Sequence, residues 1–210
     1  MKLYIIRHGQ SEDNVAMRQA GDSRLTSLGR QQAEATAEAL RDTPIDRLYA
    51  SPTRRTVETA CIIGNALGLP PVLRADICER GRLFDEPGLT AGELRELCSN
   101  VQLGSDFAPD RGWAADFDGE TPDEMYVRAV SVVQSLRQEH PNGTGSVAMV
   151  THAYFSGYLM SVALGFTREQ VQTNWLRMYN CGISHLEFKD HATMLWYLNS
   201  HAHVGELMTA

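Results

Sequence analysis

The sequence predicts an α/β fold, a three-layer α/β/α sandwich built on a largely parallel sheet. Three observations carry this. Short apolar runs that read as strands alternate with Ala- and Glu-rich or amphipathic segments that read as helices, the pattern of strands joined by crossover helices. Three of those runs stop abruptly at residues of the kind that handle anions. Finally, a chain of 210 residues with 43% hydrophobic and 21% charged residues is long enough for one sizeable core and ordinary for a globular domain.

Each element has its own signal. Leu3–Ile6 is a first apolar strand. Ser27–Leu40, "SLGRQQAEATAEAL", is rich in good helix formers. Asp46–Ala50 is a short strand, and Pro52–Leu67 a helix with Ser51 as N-cap, Pro52 in its first position and Gly68 at its C-terminal end. Val72–Arg74 is a short strand and Ala91–Cys98 a helix. Thr121–Gln138 places Met125, Ala129, Val132, Val133 and Leu136 on one face of a helix. Ser146–Val150 is a strand, Ala153–Leu164 a helix, and Ile183–Phe188 and Met194–Leu198 are closing strands. Residues 80–118 break the rhythm and read as a lid or specificity insertion within a single domain spanning 1–210. Trp113 either lines that insertion or anchors it to the core, and Met17, Met125 and Met160 read as core filling.

Composition narrows the function. A net charge of −7 argues against nucleic acid as a partner, although local arginines can still hold a small anion. No apolar run approaches the roughly 18 residues that span a bilayer. The N-terminus "MKLYIIRHGQ" lacks a signal-peptide pattern, so a cytoplasmic protein without membrane contact is expected. Cys61, Cys78, Cys98 and Cys181 are scattered, without a CxxC pair, and read as free, mostly buried thiols. His201 and His203 lack an acidic or cysteine partner at ligand spacing and read as a frayed tail or surface pair.

The chemistry gathers at three strand ends. Ile5-Ile6 runs into Arg7, His8 and Gly9. Leu48-Tyr49-Ala50 runs into Ser51 and a helix with Arg54 and Arg55, and Ala148-Met149-Val150 into Thr151, His152 and another helix. Ligands of open α/β sheets sit outside the carboxyl ends of strands. All three motifs should therefore face one crevice, where helix N-termini add N–H donors and positive dipole ends. Placing an arginine beside a histidine is costly unless an anion relieves the repulsion, and phosphate is the natural occupant. A neutral imidazole can attack phosphorus and split the transfer into two steps. Nearby arginines lower its pKa and steady the transition-state charge. An alkoxide leaving group then needs a carboxylic acid close by.

"RHG" after an N-terminal strand, "LTSLGRQQA", "SPTRRTVETA" and a late "VTH" resemble the histidine phosphatase superfamily, the phosphoglycerate mutase-like family, over nearly the whole chain. The resemblance implies a phosphoglycerate mutase-like fold with His8 as phosphorylated nucleophile, and with Arg7, Arg55 and His152 as holders of the phosphoryl group. It implies Glu79, in "DICERG", as the general acid. Asn14, Ser51 and Thr59 sit where family members add polar contacts to substrate, and Glu120 marks a structural helix start near the pocket rim. Arg54 reads instead as a solvated residue with Glu58 at i+4. The stretch after the acid departs from the family pattern, which leaves Asp76, Asp85 and Glu86 as rivals to Glu79.

The expected activity is metal-independent hydrolysis of a small phosphorylated metabolite through a phosphohistidine, without a cofactor. The alternatives are a cofactor-dependent phosphoglycerate mutase and a non-catalytic phospho-ligand binding module. A homodimer stays open, with no interface stripe to mark one.

Overall fold

"KLYIIR" and "SVAMVT" are apolar on both faces, which suits strands covered on both sides. In a computed structural model, which describes residues 1–17, 22–79, 87–115 and 119–210, these two segments form the centre of the sheet. The strands are β1 (Lys2–Arg7), β2 (Arg47–Ala50), β3 (Val72–Leu73), β4 (Ser146–Thr151), β5 (Ile183–Phe188) and β6 (Thr193–Ser200). They run in the order β3-β2-β4-β1-β5-β6. The first four pair in parallel, while β5 and β6 add antiparallel. The sheet is therefore mixed: the two closing strands return by a short turn, which only an antiparallel pair allows.

The helices are α1 (Glu12–Ala16), α2 (Ser27–Leu40), α3 (Arg54–Leu67), α4 (Ala91–Leu97), α5 (Pro122–Glu139), α6 (Ala153–Ala163) and α7 (Arg168–Thr173). The period-2 alternation of β1 divides them into two layers. Leu3 and Ile5 join the cluster that holds Met125, Ala129, Val132 and Leu136 of α5 and Phe155 and Leu159 of α6. Tyr4 and Ile6 join Ala37 and Leu40 of α2, Val57, Ala60 and Ile63 of α3, and Leu94 of α4. Each fully buried Leu or Ile contributes about 1.5–3 kcal/mol by leaving water. The sandwich is thus held from both sides of one central pair of strands.

Several expectations need correction. Helix α3 begins at Arg54 with Thr53 as N-cap, so Pro52 lies before the helix and Ser51 does not cap it. The Ser51 hydroxyl is instead within 2.9 Å of His152 Nε2. Glu58 does not pair with Arg54. It is buried, accepts from Arg30 Nη2 at 3.0 Å and from the Leu25 amide at 2.8 Å, and so ties α3 to α2. Met17 is 89% exposed rather than core, because it ends α1 in the left-handed conformation. His203 is no frayed tail: its Nε2 lies 3.1 Å from Thr36 Oγ1 and 2.9 Å from the Cys181 carbonyl. The four thiols are free, Cys61 being half-buried and the others buried.

The described part of the insertion packs as core. Leu89, Leu94, Cys98 and Val101 are buried beside α3, and Gly88 lies against the Trp113 ring. The Trp113 ring thus packs within the insertion itself. Residues 80–86 and 116–118 of the expected lid, with Asp85 and Glu86, lie outside the described residues. Among the described residues no helix is long and apolar enough to cross a membrane.

One contact positions the loop after β1. A Cβ on Gly9 would lie 2.4 Å from the Gly29 carbonyl oxygen, and one on Gly29 would lie 2.0 Å from that of Gln10. Backbone meets backbone there, so neither position has room for a side chain. Gly29→Ala is expected to destabilise the fold by about 1–3 kcal/mol through overpacking and to lower turnover by displacing His8. Gly92→Ala, whose Cβ would meet only Thr90 Oγ1 at 3.9 Å within α4, should be neutral or mildly stabilising. Urea denaturation of the two variants checks the contrast.

Candidate active site

Adjacent parallel strands deliver their C-terminal ends to one place. β1 ends at Arg7, and the His8 amide continues the ladder by donating to the Thr151 carbonyl at 2.9 Å. β4 ends at Thr151, and His152 is the N-cap of α6. β2 ends at Ala50, and the first turn of α3 brings in Arg55. The two imidazoles are consequently 5.2 Å apart between centroids, nearly edge to face. His8 lines a cavity of about 490 Å³, a size suited to a small ligand, together with Arg7, Arg55 and Glu79 among others, and His152 is fully buried behind it.

Arg55 joins the cluster. Its Nε–H donates to His8 Nε2 at 3.2 Å, and its Nη2 lies 3.5 Å from His152 Nδ1. On the far side of the His8 ring, Nδ1 lies 2.7 Å from the Gly9 carbonyl. A carbonyl only accepts, so Nδ1 carries the proton and Nε2 keeps its lone pair toward the cavity. Burial, followed by Arg55 and Arg7, holds His8 well below its usual pKa; burial and Arg55 do the same for His152. Both rings are therefore neutral near neutral pH.

Arg7 is buried and donates through Nη1 to the Met178 carbonyl at 2.8 Å, while its Nε–H has no hydrogen-bond partner among the described residues. Burial lowers its pKa to about 10, which still leaves it cationic. A buried guanidinium with an unused donor is suited to an incoming oxyanion.

Glu79 lines the same cavity as the two arginines. Its carboxylate accepts from the amides of Phe155 at 2.9 Å and Tyr154 at 3.3 Å in the first turn of α6. Those donors, together with Arg55 and Arg7, favour the ionised form. Burial outweighs them, and the pKa is raised. The rival Asp76 is engaged elsewhere, accepting from Arg74 Nε at 3.0 Å and Nη2 at 2.7 Å.

Other sequence-predicted contacts fall differently. Asn14 lines the cavity. Its Oδ1 accepts from the Ser11 amide at 3.1 Å and from Asn180 Nδ2 at 3.2 Å, which leaves Nδ2 for a ligand. Ser51 and Thr59 are fully buried behind the cavity rather than lining it. Ser51 orients His152. The Thr59 hydroxyl donates to the Arg55 carbonyl at 2.7 Å and accepts from the Gly9 amide at 3.1 Å, clamping the loop after His8 to the helix of Arg55. Both are positioning residues. Glu120 also lies behind the site, paired with Arg128 at 2.6 Å.

Sequence reasoning missed Arg128. It interrupts the apolar face of α5, and that interruption was the available signal. Its guanidinium donates to the carbonyls of Asp76, Cys78 and Glu79 at 2.8, 3.0 and 3.2 Å and lies 4.3 Å from the centre of the Phe155 ring. Thr151 Oγ1 adds a bond to the Ile77 carbonyl at 2.6 Å. The segment carrying Glu79 is thus tied to α5 and to the end of β4. Also missed were Tyr154, Trp175 and Arg177 on the cavity wall.

Arg128→Met removes the cation paired with the buried Glu120 carboxylate and is expected to cost about 3–5 kcal/mol. In the double variant Arg128→Met/Glu120→Leu most of that stability should return. Turnover should stay about 10–100-fold low, because the Glu79 segment still lacks its donors. Denaturation curves and steady-state kinetics on both variants separate the two effects.

The profile of the histidine phosphatase superfamily (branch 1) matches residues 3–201. The chain is 30% identical over 199 residues to the probable phosphoglycerate mutase GpmB of Enterobacter sp. (strain 638), an alignment that covers 90% of this chain and 86% of the relative. Among solved structures, YhfR of Bacillus stearothermophilus is 25% identical with a TM-score of 0.72, covering 97% of this chain and 98% of its own. A mycobacterial glucosyl-3-phosphoglycerate phosphatase complexed with VO3 is 24% identical with a TM-score of 0.71, covering 95% and 99%, and shares the fold.

Proposed function

Because the chain belongs to the histidine phosphatase superfamily (branch 1), a family of phosphatase and mutase activities, we propose that it hydrolyses small phosphomonoesters through a phosphohistidine at His8, without a metal ion. The observation that carries this reading is the state of His8: Nδ1–H is committed to the Gly9 carbonyl, and Nε2 is unprotonated and held by Arg55.

The phosphoryl group sits between Arg7, Arg55 and His152, whose charge and donors do the work a metal ion would otherwise do. In its neutral Nδ1–H tautomer, with Nε2 accepting from the Ser51 hydroxyl, His152 donates to an equatorial oxygen. The His8 Nε2 lone pair attacks phosphorus in line. The P–N bond forms as the ester P–O bond breaks, and the leaving oxygen takes the proton of the Glu79 carboxyl group. In the second half Glu79, now a carboxylate, draws a proton from water. The water oxygen attacks phosphorus, the P–N bond breaks, and phosphate leaves. General acid catalysis of this kind is worth about 10²–10⁴-fold.

The first test is phosphate release from a panel of phosphomonoesters in excess EDTA, with wild type and His8→Ala. Turnover by the wild type alone is expected; activity that EDTA abolishes and magnesium restores would sink the metal-independent reading. Glu79→Gln should lose about 10²–10⁴-fold on alkyl phosphates and much less on p-nitrophenyl phosphate, whose phenolate leaves without a proton.

The pH profile follows from the signs of the shifts. Attack needs neutral His8, whose pKa lies below 6.5, so the acid limb is displaced to lower pH. Leaving-group protonation needs Glu79 as an acid, and its pKa is raised above 4.5. With alkyl phosphates, kcat/KM should fall as the pH rises through the Glu79 pKa and fall again below that of His8. Glu79→Gln should remove the alkaline limb.

A second reading is favoured by the name of GpmB, a probable mutase at 30% identity. Phosphoryl exchange between phosphoglycerates without net phosphate release would establish it here.

A further inference from the structure

Trp175 is 70% exposed and stands at the wall of the catalytic cavity. Its ring meets that of Tyr154 nearly edge to face, with centroids 4.6 Å apart. Tyr154 donates its amide to Glu79 Oε2, so this aromatic wall starts at the proposed general acid. The place follows from the chemistry of the site. Glu79 protonates the leaving oxygen, so the alcohol portion of the ester must extend past Glu79 and against Tyr154 and Trp175. Leu176 and Met178 continue the same wall. A small, doubly charged alcohol would leave the indole in water. A flat apolar ring would cover it and gain the stacking that aromatic pairs provide.

We propose that Tyr154 and Trp175 form a leaving-group subsite selecting phosphate monoesters whose alcohol carries an aromatic ring close to the ester oxygen. The proposal rests on the phosphatase reading for the direction in which the leaving group points. Trp175 contacts the ring of the alcohol and has no part in phosphoryl transfer.

The test compares benzyl phosphate with n-butyl phosphate, whose alcohols are similarly poor leaving groups. The wild type should favour the benzyl ester in kcat/KM by about tenfold, the scale of one aromatic contact. Trp175→Ala should bring the ratio close to one, by lowering kcat/KM for the benzyl ester about tenfold and for the butyl ester much less. Trp175→Phe should keep most of the preference. A wild-type ratio near one, or a ratio that survives Trp175→Ala, overturns the proposal. So does a higher kcat/KM for phosphoserine or phosphoglycerate than for benzyl phosphate, which would assign the rim to Arg177 and a carboxylate.

Calorimetric binding of benzylphosphonate and butylphosphonate keeps this separate from the reaction itself. A benzyl preference that disappears in Trp175→Ala, in an enzyme that turns over neither ester, upholds the subsite and overturns hydrolysis. Equal binding in the wild type overturns the subsite.

Discussion

Arg55 holds two imidazoles at once, and the rest of the site is arranged around that contact. A second guanidinium, Arg7, is buried next to them, and each raises the cost of protonating the rings. The lowered pKa values favour neutral histidines, and the proposed nucleophilic role of His8 needs that neutral form. Glu79, Asp22 and Asp13 give Arg55 partial compensation. An incoming dianion completes it with donors already in place, so little reorganisation is left for the moment of reaction. The acid obeys the same logic with the opposite sign. Burial raises the Glu79 pKa although the N-terminus of α6 and both arginines act to lower it.

Such a cluster persists only if the backbone beneath it cannot relax. The sheet supplies two of the anchors, since β1 and β4 are neighbours and end level with one another at Arg7 and Thr151. Small residues supply the next layer. Gly9 and Gly29 let the loop after β1 rest on α2, and Thr59 bonds that loop to the helix of Arg55. Arg128 anchors the acid's segment from the far side. The residues proposed to touch phosphate are few. Those that hold them still are drawn from α2, α3, α5 and both central strands.

The first group is legible in the sequence and most of the second is hidden. His8, Arg7, Arg55 and His152 follow apolar runs whose ends are plain in the chain, and the crevice rule alone is enough to bring those ends together. Ser51 and Thr59 stand out in the sequence, but their task does not. A hydroxyl at a strand end or one helical turn past an arginine suits substrate and scaffold equally, and burial decides between them. Pro52 mimics the first residue of a helix that starts two residues later, because a Ser-Pro pair looks like a capped start. The partner of Glu58 is Arg30, on another helix. Local spacing points to Arg54, and only the packing of α2 on α3 reveals the true partner. Trp175 lies in a stretch without regular structure just past α7. No motif marks it, and its meaning depends on Tyr154, which lies far from it in the chain.

Hydrolysis and phosphoryl return share every step up to the phosphohistidine and differ in what next reaches it. A mutase must keep its dephosphorylated acid in the cavity while water waits outside, and a small polar acid stays only if a second set of cations holds it. Beyond Arg7 and Arg55, the one further guanidinium among the described residues of the cavity wall is Arg177, exposed and about 5.9 Å from the centre of the Tyr179 ring. On the leaving-group side the wall is aromatic and apolar, through Tyr154, Trp175, Leu176 and Met178. Such a wall can hold a ring but gives little grip on a carboxylate or a second phosphate. Among the described residues the positive charge is concentrated at the phosphoryl end of the cavity, an arrangement consistent with the hydrolysis proposed above.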